Sequence, residues 1–246
     1  MNRKLSDQLL EESQLFDEIK AFVIDCSYAS ISAIQRKFKL GFNRVVRIVD
    51  KLEKTGIIAP INDEGIRLSR VITNEQQKWW DDLPDAWKRV FIIHLYDQPK
   101  RFLLDHEWAE DSGDLQLREK TDLIKIFCLT EIWCSNNKLI VDLPDLRYFH
   151  RLRDLSIRSA RIRDISKLAN CKSLVNVDLS GNEIQDITPL CELDLLERVN
   201  LIGNPFEDLE LEAELIARSN ECRKSFERYR KTIEEQMIQI EKFYDC

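Results

Sequence analysis

Three kinds of periodicity succeed one another along the chain. Leu15, Phe16, Ile19, Phe22, Val23 and Cys26 recur at helical spacing and predict a first helix with one apolar stripe. Ser32-Ala33-Ile34-Gln35 has capping-box spacing and predicts the start of a second helix through Ile34 and Phe38. Gly41 permits a tight turn, and a third helix is predicted from about Phe42 to Lys54, ended by Gly56. Ile57 to Pro60, the turn Asn62-Asp63-Glu64-Gly65 and Ile66 to Ile72 read as strand, turn and strand. Three helices and a hairpin make a winged helix-turn-helix over residues 15–73, preceded by a polar, frayed segment 1–14. Residues 74–122 are helical and tryptophan-rich, with an acidic break at Asp105–Asp114.

From residue 123 to 210 the period lengthens. Leu152, Leu174 and Leu196 stand 22 residues apart, and each opens the pattern L-x-x-L-x-L-x-x-N-x-I. The copies read Leu152, Leu155, Ile157, Ile162; Leu174, Val177, Leu179, Asn182, Ile184; and Leu196, Val199, Leu201, Asn204, Phe206. An earlier copy, Leu129, Ile132, Cys134, Asn137, Leu139, fits with one inserted residue, and Ala160 takes the asparagine position of the second copy. After the core comes Asp-Ile-x-x-Leu, at Asp164–Leu168 and Asp186–Leu190. These residues resemble the leucine-rich repeat family. In such an array each unit supplies one short strand and a turn, the asparagine bonds backbone groups the turn leaves unpaired, and no unit buries its apolar face without its neighbours.

The outward strand positions would line a concave face: Glu131, Trp133, Ser135; Asp154, Ser156, Arg158; Asn176, Asp178, Ser180; Arg198, Asn200, Ile202. Such a polar ladder with one aromatic suits an unidentified protein partner, for which Trp133, Asp154, Arg158, Asn176, Asp178, Arg198 and Asn200 are the candidates; it reads equally as a solvated face. Trp79-Trp80 and Leu83-Pro84 through Trp87, Val90 and Phe91 resemble the helical segment that precedes leucine-rich repeats in many bacterial proteins, and imply a cap on the solenoid's open end. Residues 211–246 form an amphipathic helix with Leu215, Cys222, Phe226, Tyr229, Ile233, Met237, Ile240 and Tyr244 in a near-heptad seam. That seam serves either as a C-terminal cap or as a homodimer interface; its mixed aromatics and cysteine favour the cap. The expected fold class is α+β/α/β multidomain: winged helix-turn-helix, helical cap, short leucine-rich repeat solenoid, C-terminal helix.

Charge changes the picture at the third helix. The chain carries −7 overall, yet between Ile34 and Arg70 nine basic residues face four acidic ones, a local +5 that leaves −12 elsewhere. A basic island in an acidic chain points to one localised anionic partner. On the third helix Val45, Val49, Leu52 and Phe42 fall on one side; Asn43, Arg47, Asp50 and Lys54 form a row on the other, flanked by Arg44 and Lys51. Arginine bonds guanine bidentately, asparagine pairs with adenine, and aspartate accepts from cytosine N4. Arg36, Lys37 and Lys39, with Arg67 and Arg70 on the wing, would contact phosphates of double-stranded DNA.

Leu15-Phe16-Asp17-Glu18, Ala29 to Ser32, Gln35 to Arg44 with Arg47, and Gly56-Ile57-Ile58 resemble the gamma domain of FtsK/SpoIIIE-type DNA translocases. The resemblance covers about residues 14–72 and implies a winged helix that reads short G-rich duplex sites. The family's base-reading row (asparagine, arginine four later, acid seven later) matches Asn43, Arg47 and Asp50. Val45-Val46 stands where the family usually has Ala-Ala, and the chain contains no G-x-x-x-x-G-K-[ST] loop. The translocase motor is not expected.

The seven cysteines are scattered without a C-x-x-C pair and the three histidines lie far apart, so reduced structural thiols are expected, with no metal site and no cofactor. His94 and His106 flank Asp97 and Asp105, but no catalytic motif accompanies them, and no enzyme is expected. No apolar run is long enough for a membrane span or signal peptide, which makes the cytoplasm the expected compartment. The reading is a non-catalytic DNA-binding protein with repeats for a protein partner; the alternative is a protein-interaction scaffold in which neither module binds nucleic acid.

Overall fold

The computed structural model describes residues 2–96 and 115–205, with side chains from Leu10 onward. The acidic break at 105–114, the seam at 211–246, Phe206, Asp97 and His106 lie outside the described residues. The chain divides into two compact units, Met1–Gln98 with Ser112–Leu129 and Tyr148–Arg151, and Pro99–Asp111 with Thr130–Arg147 and Leu152–Cys246.

The first unit opens with α1 (Asn2–Asp25), so residues 2–14, expected to be frayed, continue the helix. A two-residue strand β1 (Tyr28–Ala29) leads into α2 (Ile31–Phe38) and α3 (Phe42–Lys54). Ile19 and Val23 of α1, Ile34 of α2, and Val45, Val49 and Leu52 of α3 meet with Ile58 in one core of fully or nearly fully buried side chains. Removing that apolar area from water is what holds the three helices at fixed positions.

The cap of α2 differs from expectation. Ser30, not Ser32, occupies the N-cap, and its Oγ accepts the Ala33 N–H at 3.3 Å. Lys39 closes the helix in left-handed conformation with φ +53°. Phe42 also departs from its expected side: it is 58% exposed, because its place in the first turn of α3 lies beyond the packed stretch that begins at Val45.

The hairpin forms in altered shape. Asn62 Oδ1 accepts the Ile66 N–H at 2.8 Å, and the Ala59 and Arg70 N–H groups donate to Leu68 and Ile57 carbonyls at 2.8 Å each. Residues 57–60 contribute one bridge, Ile58 with Ser69, instead of a full strand. The second arm, β2 (Arg67–Leu68), pairs antiparallel with β1, Tyr28 opposite Leu68 and Ala29 opposite Arg67.

Further along the same unit come α4 (Asn74–Asp81), α5 (Asp85–Tyr96) and α6 (Asp122–Phe127). Thr73 caps α4 in a full capping box with Gln76, whose buried amide also donates to the Ile24 and Asp25 carbonyls and approaches Ser27 Oγ at 3.4 Å. Trp79 packs on Phe91, Phe127 and Phe149 with ring centroids 5.1–5.7 Å apart. These aromatics are core, at the offset and edge-on geometries such rings prefer.

The second unit is a parallel sheet of four short strands in sequential order: β3 (Glu131–Ser135), β4 (Asp154–Arg158), β5 (Asn176–Asp178) and β6 (Arg198–Asn200). The pattern leucines and isoleucines at 152, 155, 157, 162, 174, 179 and 184 are buried, as their spacing requires. Asn182 Nδ2 donates to the Ile157 and Leu179 carbonyls at 2.7 and 2.9 Å while its Oδ1 accepts the Ile162 N–H at 3.2 Å. Asn204 repeats the arrangement one unit later. The asparagine of one repeat therefore serves the turn of the repeat before it, which is why Ala160 leaves the Ile162 N–H satisfied.

Each turn also contains one residue of positive φ, at Asn136, Ser159, Gly181 and Gly203. The Asp-Ile-x-x-Leu stretches become 3-10 helices, Ser166–Asn170 and Thr188–Glu192, and Asp164 and Asp186 accept the Ser166 and Thr188 N–H groups at their entrances. In the first copy Ile140 is buried and Leu139 is 62% exposed. The inserted residue falls between Asn137 and Ile140, so the inward position moves one residue along; the Arg161 N–H donates to the Ile140 carbonyl as Glu183 does to Ile162.

Candidate nucleic-acid interface

Burial of Val45, Val49 and Leu52 decides which way α3 faces. Asn43, Arg47, Asp50 and Lys54 lie on the opposite side and all are exposed, as are Arg44 and Lys51 on the flank. At about 100° per residue the four-residue row spans only about 60° of the helix circumference. Arg47 Nε donates to the Asn43 carbonyl at 3.2 Å, which sets the guanidinium along the helix beside Asn43.

The expected phosphate contacts divide in two. Arg36, Lys37 and Lys39, at the end of α2 and in the turn before α3, are exposed, and so is Arg70. Lys37 Nζ sits 4.1 Å from the centroid of Phe22, and Lys51 Nζ 4.2 Å from that of Phe16, so both stems are steadied by aromatic faces while their charge remains at the surface. Arg67 differs: it is half-buried, and its Nε donates to Glu53 Oε2 at 3.3 Å. Among the described residues none of Arg36, Lys39, Arg44, Arg47, Lys54 and Arg70 is ion-paired.

One contributor escaped the sequence pattern. The middle of α1 borders the basic flank of α3, and Glu12, Leu15, Phe16, Arg44, Arg47 and Lys51 line a groove of about 550 Å³ there. The period of α1 places Leu15 and Phe16 on its apolar stripe, and nothing in that period says that they border Arg44, Arg47 and Lys51.

On the repeat sheet, strand register sets Glu131, Asp154, Asn176 and Arg198 in one cross-strand row and Trp133, Ser156, Asp178 and Asn200 in the next. Asn176 Nδ2 donates to Asp154 Oδ1, and Asp178 Oδ1 accepts from the Ser180 hydroxyl at 2.7 Å. Arg158, Arg198 and Ile202 are exposed. Trp133 departs from the expected surface: at 9% exposure it is buried, as is Ser135, so it offers a partner almost none of its ring. An indole left in water forfeits the burial of a large apolar area. His94, weighed as a catalytic candidate, is half-buried with Nδ1 2.7 Å from the Val90 carbonyl, and burial pulls its pKa below the usual histidine value.

Comparison with known proteins bears on each unit separately. Residues 10–71 match the family described as the Ftsk gamma domain. The DNA translocase FtsK of Haemophilus influenzae is 49% identical over 53 residues, 22% of this chain and 10% of that protein. That of Pseudomonas putida is 44% identical over 57 residues, 23% of this chain and 7% of the translocase. The chain thus spans a tenth or less of these curated relatives. Among solved structures, an internalin from Listeria monocytogenes aligns with 54% of this chain and 33% of its own at 18% identity and a TM-score of 0.40. What the chain shares with the translocases is the gamma domain over residues 10–71, a domain that binds DNA in FtsK.

Proposed function

We propose that this protein is a non-catalytic, cytoplasmic DNA-binding protein that uses residues 15–73 as a winged helix, with α3 as its recognition helix. The observation that carries the reading is the exposed row Asn43, Arg47, Asp50 and Lys54 set opposite the buried Val45, Val49 and Leu52. A helix so divided packs on its own domain through one side and enters a major groove with the other. Arg36, Lys37, Lys39 and Arg70 flank the row and supply phosphate contacts that orient the duplex. The match to the gamma domain supports a short, G-rich duplex as target. The repeats would bind a protein partner through Asp154, Arg158, Asn176, Asp178, Arg198 and Asn200.

A gel-shift titration of G-rich and scrambled duplexes tests this. The expected result is preference for the G-rich site, reduced by about 1–3 kcal/mol, or roughly five- to 150-fold, in Arg47→Ala. Lys39→Ala is expected to weaken both duplexes alike and to reduce the salt slope by about one. No shift with either duplex at low salt would overturn the reading and leave a protein-interaction scaffold.

A further inference from the structure

The end of α1 carries three metal-ligating groups that DNA binding does not use. Asp25, Cys26 and His150, all in the first unit, present a carboxylate oxygen, a sulfur and an imidazole nitrogen that lie within 4.8 Å of one another. His150 Nε2 is 3.6 Å from Asp25 Oδ2. The backbone bearing them is held by groups that are not ligands. Ser27 turns the chain in left-handed conformation at φ +64°, and the Gln76 amide donates to the carbonyls of Ile24 and Asp25 at 3.3 and 3.5 Å. Phe149, next to His150, is buried against Trp79 and Phe91. Such support behind ligand positions is what fixes a coordination geometry.

The donor set selects the ion. Oxygen alone would suit calcium or magnesium, whereas thiolate, imidazole and carboxylate together suit zinc. Tetrahedral zinc, with bonds of about 2.0–2.3 Å, holds its ligand atoms about 3.5 Å apart. The Asp25–His150 separation already meets that value, and the Cys26 sulfur lies within 4.8 Å of both ligand atoms. Cys26 itself is 6% exposed; burial first, and the Asp25 charge second, push its thiol up to about 12. A cysteine ligates zinc as the thiolate, so its proton goes to solvent as the zinc–sulfur bond forms.

We propose that Asp25, Cys26 and His150 bind one zinc ion, with water in the fourth position, and so clamp the end of α1 to the 148–151 segment of the same unit. The test adds cobalt(II), a spectroscopic stand-in for zinc, to the chelator-treated full-length protein and reads thiolate-to-cobalt charge-transfer absorption. The expected result is saturation at one equivalent, displacement by zinc, release of one proton per metal, and loss of the band in both Cys26→Ser and His150→Ala. His150 is exposed, so His150→Ala keeps the fold, which circular dichroism checks. No band in the unmodified protein would mean an Asp25–His150 ion pair only. That result, or a band surviving in either variant, overturns the site.

Discussion

Asp122 illustrates how one side chain can secure a segment that periodicity does not explain. It is fully buried, yet its oxygens accept from the Tyr96 hydroxyl, from the Glu119 N–H at 2.7 Å and from Lys125 Nζ at 3.0 Å. Burial pushes its pKa up, but these donors outweigh it and hold the carboxyl below the usual aspartate range. A carboxylate whose folded pKa is depressed stabilises the fold above its unfolded value, near pH ~3.9, and loses that contribution as pH falls through the folded value. Asp122→Asn is expected to cost about 1–3 kcal/mol at neutral pH, since buried donors lose an ionic acceptor. Urea midpoints should show the gap between variant and parent narrowing in acid. A gap that stays constant down to about pH 2 would mean that the carboxylate charge contributes nothing. The network was illegible in the sequence because Tyr96 and Asp122 lie 26 residues apart in no repeating pattern.

At the scale of elements, legibility follows length and period. The bounds of α3 were readable because Val45, Val49 and Leu52 mark a stripe over several turns, and Gly56 marks the stop. The pairing of β1 with β2 was not, since two residues, Tyr28 and Ala29, carry no alternation. The spacing from Ser32 to Gln35 pointed to Ser32 as the cap of α2, whereas Ser30 holds that place with its Oγ on the Ala33 N–H. The exposed row of α3 could be read ahead, whereas the neighbouring α1 groove and the Asp25–Cys26–His150 cluster depend on chain folding that brings distant positions together. Within the repeats, Gly181 has φ +68°, and a Cβ there would stand 3.0 Å from Ser159 Oγ and 3.4 Å from its Cα. Gly181→Ala is expected to destabilise by about 1–2 kcal/mol, the left-handed cost for an L-residue, with some added crowding. Thermal melts measure it, and an unchanged midpoint would show the turn is not constrained.

Over the whole molecule, charge is partitioned: +5 between Ile34 and Arg70 against −12 elsewhere. Acidic surroundings repel a polyanion everywhere except at the basic island, which favours one mode of approach to a duplex. Raising salt from about 50 to 200 mM is expected to weaken DNA binding steeply, with a slope of about 0.9 per phosphate neutralised. A flat dependence in a fluorescence anisotropy titration would contradict phosphate contact.

The column of left-handed residues at 136, 159, 181 and 203 gives the sheet a fixed rung height. Because the N–H groups of Asn136, Ser159 and Gly181 each donate to the carbonyl of the next rung, at Arg158, Ser180 and Ile202, length becomes a whole-number quantity. Excising residues 153–174 brings Leu152 to Val175 and hands each strand a neighbour in the register it had before. Such a shortened chain should still melt cooperatively, at a lower temperature. Removing residues 153–163 instead would cut a rung in half and leave nothing for its neighbours to stack on.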